Sequence, residues 1–478
     1  REPKSRLGSS LLALVLVPAG CSGARVMMPH PRARGGIACL LALVAVFSGC
    51  ASFNAPNQPL AQADPSRGYR PTNASQFHEV GSVWLFVAFS GGGTRAAAFA
   101  YGVLQELRDT PIVIAGKSMR LLDEVDAVSG VSGGSFPAAY YGLFGDRIFD
   151  EFEERFLRKD IQGALVGRIL APWNLVRLPG PNVSRTQLAR DFYDKHVFEH
   201  ATFADFANAK GPRVYINTTD LVQGNRFTFD QTTFDAICSD IDPLPVAAAT
   251  AASSAVPGVL SPLTLRNFAG SCDFERPEWF EEALENRRSN PRGAHVARQF
   301  NSYFDSTKKK YIHLVDGGVA DNLGLSVLLE RMDQMGGVEG FAKMYGLSPP
   351  KHVIVISVNA ETEPDPNVSL AAVAPGLAAT MGLMSGVQIE RANFETLDTA
   401  RQTVRAIGGT LSREGRPVTS NFVEVSFDLS AKEEERSYLK QLPTSFRLSD
   451  EQVDHLIAAG RKILRDSPDY QAVLQQLR

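Results

Sequence analysis

Cysteine is scarce in this 478-residue chain: there are five, and none stands in a metal-ligand spacing. A surplus of positive charge is also missing. Forty-nine Lys and Arg face 52 Asp and Glu, a net charge of −3, without the basic face that a nucleic-acid partner requires. The first 49 residues hold six of those basic residues (Arg1, Lys4, Arg6, Arg25, Arg32, Arg34) and one acid, Glu2, so the remainder is more acidic still. Long apolar runs are absent. Leu11 to Val17 and Ile37 to Phe47 both fall short of the ~20 residues that a membrane-spanning helix needs. What is present is a globular composition. With 44% hydrophobic and 21% charged residues the chain can bury the core of one large domain or two ordinary ones, which excludes wholesale disorder.

The second apolar run has a secretory-signal layout: Met28, then Arg32 and Arg34, the apolar stretch, then small residues. It ends Phe47-Ser48-Gly49-Cys50, which resembles a bacterial lipobox whose cysteine takes lipid. Phe47 stands where an aliphatic residue is usual, and an ordinary secretory signal with a chance cysteine is the alternative. Ala51, not an aspartate, follows the cysteine, which points to a periplasm-facing outer-membrane lipoprotein held by its lipid anchor. Residues 1–27 begin with Arg1 and read as an extension upstream of the true start, 28–49 as the signal peptide, and 50–78 as a tether rich in Pro, Asn, Ser and Gln. Cys21 and Cys39 belong to the leader. Cys238 and Cys272 remain, an even pair that in an oxidising compartment is either a disulfide or two buried thiols.

After residue 80 short apolar or β-branched runs alternate with helical patterns, as in a mostly parallel α/β sheet. Val83–Phe89, Val125–Ser129, Val214–Asn217, Tyr311–Val315 and Val353–Val358 are the predicted strands, and the alternating run Phe422–Phe427 predicts an edge strand. Ser449 and Gln452 form a capping box for a final helix with Val453, Leu456, Ile457 and Leu464 on one face. The polar stretch from Cys272 to Lys310 reads as a surface insertion, with Lys308–Lys310 a solvated basic cluster. A catalytic domain is expected over residues 79–330, with residues 331–478 completing the same globule.

Three places carry chemistry. Val83–Phe89 runs into Ser90-Gly91-Gly92-Gly93-Thr94-Arg95 and a helix, so that backbone N–H groups can face an anion. It is not the dinucleotide fingerprint, because Ala96 stands at the last glycine, and on its own a plain tight turn fits equally well. Gly130-Val131-Ser132-Gly133-Gly134 lies between a strand and a helix, the context of a nucleophile elbow, where a serine occupies a strained turn between small residues. A structural Gly-Ser turn is the alternative. Ser129 and Ser135 are near but miss the middle of the pattern. Lastly, Tyr311–Val315 delivers Asp316 at a strand end, followed by Gly317 and Gly318, at the edge of an open α/β sheet where sites lie. Asp-Gly-Gly alone is commonly just a turn.

In this order the motifs resemble the patatin-like phospholipase family over roughly residues 81–330. Ser90–Arg95 is similar to its oxyanion loop, Gly130–Gly134 to its Gly-x-Ser-x-Gly elbow, and Asp316-Gly317-Gly318 with Asn322 to its aspartate block. Ala251–Gly258 resembles its Ala/Ser-rich helix ending in proline. The resemblance implies a three-layer α/β/α fold and a Ser132–Asp316 dyad. It further implies an oxyanion hole from Gly91, Gly92 and Gly93, no cofactor, and a phospholipid or lysophospholipid substrate. The histidines agree independently. A triad needs one on a loop beyond the acid; His352 begins a β-run, His455 lies within the last helix, and His313 is mid-strand.

Arg95 either supports the loop, forms a structural ion pair or meets a lipid phosphate. Leu165–Leu170, Trp173–Val176 and Leu377–Val387 form either a lipid-facing cap or ordinary core helices. Acyl transfer to an alcohol uses the same nucleophile, and a non-catalytic envelope lipoprotein is the reading from another class. Both the nucleophile and the acid are present, which weighs against the latter. If Cys50 carries the anchor, Cys50→Ser moves the protein from the membrane to the soluble periplasmic fraction. Unchanged membrane fractionation of that variant refutes the anchor.

Overall fold

Seven consecutive apolar residues leave β1 (Val83–Phe89) no solvent-facing side, and the strand is buried on both faces. Val83, Leu85, Val87 and Phe89 enter one core, while Trp84, Phe86 and Ala88 enter a second. The protein is described by a computed structural model over residues 55–71 and 82–477, except 115, 178–182, 210, 335–336, 345–347, 349, 365–366, 371 and 413–415. Residues 1–49, where a leader is expected, and Cys50 lie outside these residues.

Seven further strands complete the sheet: β2 (Val125–Val131), β3 (Arg213–Asp220), β4 (Arg226–Thr228), β5 (Leu263–Arg266), β6 (Tyr311–Asp316), β7 (His352–Asn359) and β8 (Thr419–Ser426). Their order is β8-β7-β1-β2-β3-β6-β5, with β4 also paired to β3. The first five run parallel. β4, β5 and β6 join antiparallel. The alternating run does form an edge strand, β8. Helices α1 (Gly93–Asp109), α2 (Ser135–Phe144), α3 (Ile161–Leu170), α4 (Pro172–Arg177), α5 (Arg185–His196), α6 (Val246–Ser253), α7 (Glu278–Glu285), α8 (Pro291–Asn301), α9 (Ser326–Gln334), α10 (Leu377–Leu411) and α11 (Asp450–Asp466) accompany it. One core joins β1 to α1, α2, α6 and α11, and the other joins it to α9 and α10, so the sheet is covered on both sides.

The capping box of α11 forms as predicted, the Ser449 hydroxyl accepting the Gln452 N–H. This helix meets α1 at backbone range: a Cβ on Gly102 would lie 2.2 Å from the Ile457 carbonyl oxygen, and one on Gly460 would lie 2.4 Å from that of Phe99. No helix among the described residues is long and apolar enough to cross a membrane.

Two expectations change. Residues 55–71, expected within a free tether, lie on the globule. Asn57 bonds the Arg266 carbonyl and amide at 2.8 and 2.9 Å, and buried Tyr69 exchanges hydrogen bonds with the Val214 main chain. Arg70 pairs with Asp235 at 2.8 Å. The polar composition concealed these anchors because each works through main-chain groups or one buried ion pair. The insertion is also less solvated than its composition suggests. α7 and α8 share a small core of Phe280, Ala283 and Ala297, and Tyr303 is fully buried. Lys309, expected in solvent, pairs with the buried Asp220.

Cys238 and Cys272 are joined in a disulfide with Cα atoms 5.5 Å apart. The bridge closes a loop of 34 residues that contains α6 and β5. Residues 55–71 cross it: Leu60 N–H donates to the Cys238 carbonyl and Ala63 N–H to that of Cys272. Replacing both cysteines with serine should lower stability by roughly 3–4 kcal/mol on the chain-entropy account. Thermal melts with and without reductant check it; a reduced protein that melts at the oxidised temperature refutes it.

Candidate active site

β2 ends at Val131, and Ser132 follows with φ 48°, a left-handed conformation that costs a non-glycine residue energy. The turn is held on both sides. The Ser132 N–H donates to the Ser253 hydroxyl at 2.8 Å, which donates on to the Asn217 carbonyl at 2.7 Å. The Ser135 hydroxyl donates to the Ser132 carbonyl at 2.6 Å. Ser129 accepts from the Asn217 amide at 2.8 Å. Both neighbouring serines are therefore committed elsewhere.

The glycines of the elbow and of the loop after β1 interlock. A Cβ on Gly133 would sit 2.0 Å from the Gly93 carbonyl oxygen, and one on Gly134 would sit 2.5 Å from that of Ser90. Gly130 backs onto Ser135, and Gly91 onto the Asn322 and Ser132 side chains. Gly92 and Gly93 adopt φ of 140° and 61°, which only glycine takes readily.

Asp316 arrives from an unexpected direction. Its strand β6 runs antiparallel to β3 and overlaps only its last residues, Asp316 pairing with Thr218 and Leu314 with Asp220. β2 pairs with β3 up to Val131 opposite Asn217. β6 therefore enters from beyond the end of β2 and stops where the elbow begins. The site lies at the C-terminal edge of the parallel strands, but the acid reaches it on a strand of opposite sense. The Ser132 hydroxyl donates to Asp316 Oδ2 at 2.8 Å, and Oδ1 accepts the Gly318 N–H at 2.8 Å. The Thr219 hydroxyl bonds the Asp316 carbonyl at 2.8 Å. Gly317 is required by close approach, its Cβ position lying 2.4 Å from the Asn217 carbonyl.

Burial raises the Asp316 pKa to about 6, against the pull of the Gly318 and Ser132 hydrogen bonds. Asp126 and Asp321 are raised by burial as well, to about 7 and about 6. Asp126 instead accepts the Leu85 N–H and Asp321 the Ser326 N–H, so geometry, not burial, distinguishes Asp316. An apolar cavity lined by Trp84, Phe86 and Asp126 lies toward the strand starts and contains neither Ser132 nor Asp316.

The expected oxyanion donors divide. The Gly91 N–H is spent on the Asn322 carbonyl at 2.9 Å, so Gly91 serves packing and not anion binding. Among the described residues Gly92, Gly93 and Gly133 have no hydrogen-bond acceptor for their N–H groups beyond the turn itself. Gly133 was not anticipated, although the residue after an elbow nucleophile is a usual donor. Arg95 is settled as a loop support: it is buried and donates to the carbonyls of Ala360 and Leu442 at 3.0 and 2.8 Å, with burial lowering its pKa to about 10. His313 bonds Thr264 and His352 bonds Thr419, away from Ser132. No cluster of metal-binding side chains occurs among the described residues.

The sequence matches the family model for patatin-like phospholipase over residues 87–329, about half its length. The chain belongs to the patatin-like phospholipase family. The family match ends within α9, so β7, β8 and α11 lie beyond it. Among solved structures it is similar to human GIVD cytosolic phospholipase A2 at 10% identity and TM-score 0.41, covering 90% of this chain and 66% of that one, just under two thirds. VipD from Legionella pneumophila follows at 12% identity and TM-score 0.25, covering 87% and 73%. The type III effector ExoU of Pseudomonas aeruginosa has 16% identity and TM-score 0.20, covering 82% and 74%. Likenesses this distant carry no argument about chemistry. No curated protein matches the sequence.

Asp316 is held at a cost to the fold. A carboxyl whose pKa rises from 3.8 unfolded to about 6 folded loses stability as pH climbs through that window, and the full penalty, about 3 kcal/mol, applies above it. Asn at this position can still accept the Gly318 N–H and can donate to Ser132. Asp316→Asn should therefore melt higher than the parent at pH 8 and equally at pH 3.5. A variant that is less stable at pH 8 refutes this account of the carboxylate.

Proposed function

We propose that the protein is a serine acyl hydrolase acting on the acyl esters of membrane phospholipids or lysophospholipids through a Ser132–Asp316 dyad. The observation that carries this reading is the 2.8 Å hydrogen bond from the Ser132 hydroxyl to a buried carboxylate, made at a strained strand-to-helix turn. Ser132 Oγ attacks the ester carbonyl carbon as Asp316 Oδ2 takes its proton. The carbonyl π electrons move to oxygen, and the N–H groups of Gly92, Gly93 and Gly133 are the donors for that charge. One such donor is typically worth about 2.7–4 kcal/mol. Collapse expels the lipid alcohol, which takes the proton back from Asp316 and leaves an acyl ester on Ser132. Water, deprotonated by Asp316, then releases the fatty acid and restores the serine.

A base with a pKa of about 6 is better suited to neutral pH than a free carboxylate near 3.9, because it holds an abstracted proton more firmly while remaining ionised at pH 7. We place the protein at the periplasmic face of the outer membrane, anchored through Cys50, on the lipobox-like sequence alone.

Ser132→Ala should reduce hydrolysis of a soluble ester by roughly three orders of magnitude or more with little change in melting temperature, since one hydroxyl is lost. A fluorophosphonate should label Ser132 alone, as peptide mapping will show. In the parent, kcat/KM should rise with pH through about 6 as Asp316 gives up its proton. Label on Ser129 or Ser135, or full turnover by the alanine variant, overturns the mechanism.

A further inference from the structure

Helix α4 is built inside out. Its one buried side chain is the polar Asn174, whose amide donates to the Arg168 carbonyl at 2.8 Å. Trp173 and Val176 are 67% and 81% exposed, and on α3 Val166 and Leu170 are 47% and 54% exposed. An exposed apolar set of this size beside a buried polar residue signals a missing partner.

Charge specifies the partner. Between Asp160 and Asp191 the chain has no acidic residue and four arginines, in a protein of net charge −3; Arg190 pairs with Asp191 at 2.7 Å and Arg185 is held by the Gly258 carbonyl, which leaves Arg168 and Arg177. Arg168 lies over the Phe192 ring, Arg177 is exposed, and neither pairs with a carboxylate among the described residues. Apolar side chains with flanking arginines and no acid suit the surface of an anionic bilayer, where the rings and alkyl groups enter the interface and the guanidinium groups meet lipid phosphates.

The segment is also joined to both halves of the site. At the start of α3 the Gln162 N–H donates to the Phe446 carbonyl at 3.2 Å, and its side chain accepts from the Ser445 hydroxyl at 2.7 Å. The carbonyl of Ser445 accepts the Thr94 N–H directly after the glycine loop. At the start of α5, Arg185 donates to the Gly258 carbonyl at 3.1 Å, and Thr186 bonds that of Ser261. The same loop carries Ala255, whose carbonyl accepts the Asp316 N–H, and the exposed Val259. We propose that α3 and α4 dock the protein on anionic phospholipid bilayers and present the Ser132 site to the lipid; the second clause rests on the function proposed above.

The test uses the purified chain carrying Cys50→Ser, so that no acyl anchor contributes, and Ser132→Ala, so that the lipid survives. Sedimentation with vesicles of phosphatidylglycerol and phosphatidylcholine should show binding that pure phosphatidylcholine vesicles do not support and that salt weakens. Adding Trp173→Ser and Arg177→Gln should lower the partition coefficient about tenfold or more. With Ser132 restored, the same two substitutions should leave hydrolysis of a soluble short-chain ester unchanged, which shows that the fold and site are intact. Equal binding to neutral vesicles, undiminished binding by the substituted chain, or a dimer that these substitutions dissociate would overturn the proposal. Vesicle binding by a chain whose Ser132 proves inert would instead sink the hydrolase reading and leave the docking surface standing.

Discussion

A carboxylate that is to take a proton from serine must be dry enough to want it and wet enough to remain charged. Asp316 sits between these demands. Burial favours its neutral form, and two donors, the Ser132 hydroxyl and the Gly318 N–H, partly restore the charged one. The rest of the site is an apparatus for keeping that balance. β6 must arrive against the sense of the central strands, Ser132 must hold a positive φ, and Ser253 must take the serine's own N–H so that the turn does not relax.

The interlocking of loops explains why the segment that matches the family needs the chain that follows it. Ser90 and Arg95 are tied to Ala360, Arg95 also to Leu442, and Thr94 to Ser445. All three partners lie beyond the residues matching the family. α11, packed backbone to backbone on α1, fixes the same helix from the other side. The glycine loop is thus clamped by elements about 270 to 350 residues away in sequence.

The parts legible in the sequence were those with a local cause. β1 was legible to the residue because both its faces are buried, and α11 because its cap and apolar stripe lie within one segment. The elbow was legible because flanking glycines are a steric necessity there. What escaped notice depends on distant partners. Nothing near Gly91 says that Asn322 will take its N–H, and nothing near Lys309 says that Asp220 will be waiting. The inverted α4 was ambiguous for a related reason: an apolar run does not declare which face the rest of the molecule will cover. The pKa of Asp316 likewise follows from burial, which no single motif reveals.

The docked N-terminal segment changes what an acyl anchor at Cys50 would do. A free tether through residue 78 would give the globule a leash of some 28 residues and a reach approaching ~100 Å. Asn57, stitched to Arg266, shortens it to seven residues and at most about 25 Å. If Cys50 carries the acyl anchor proposed above, so short a leash would keep the globule from sampling the periplasm or crossing to a facing membrane. So anchored, it would be a surface-confined catalyst whose encounters are two-dimensional, limited to lipids diffusing through the leaflet that holds it.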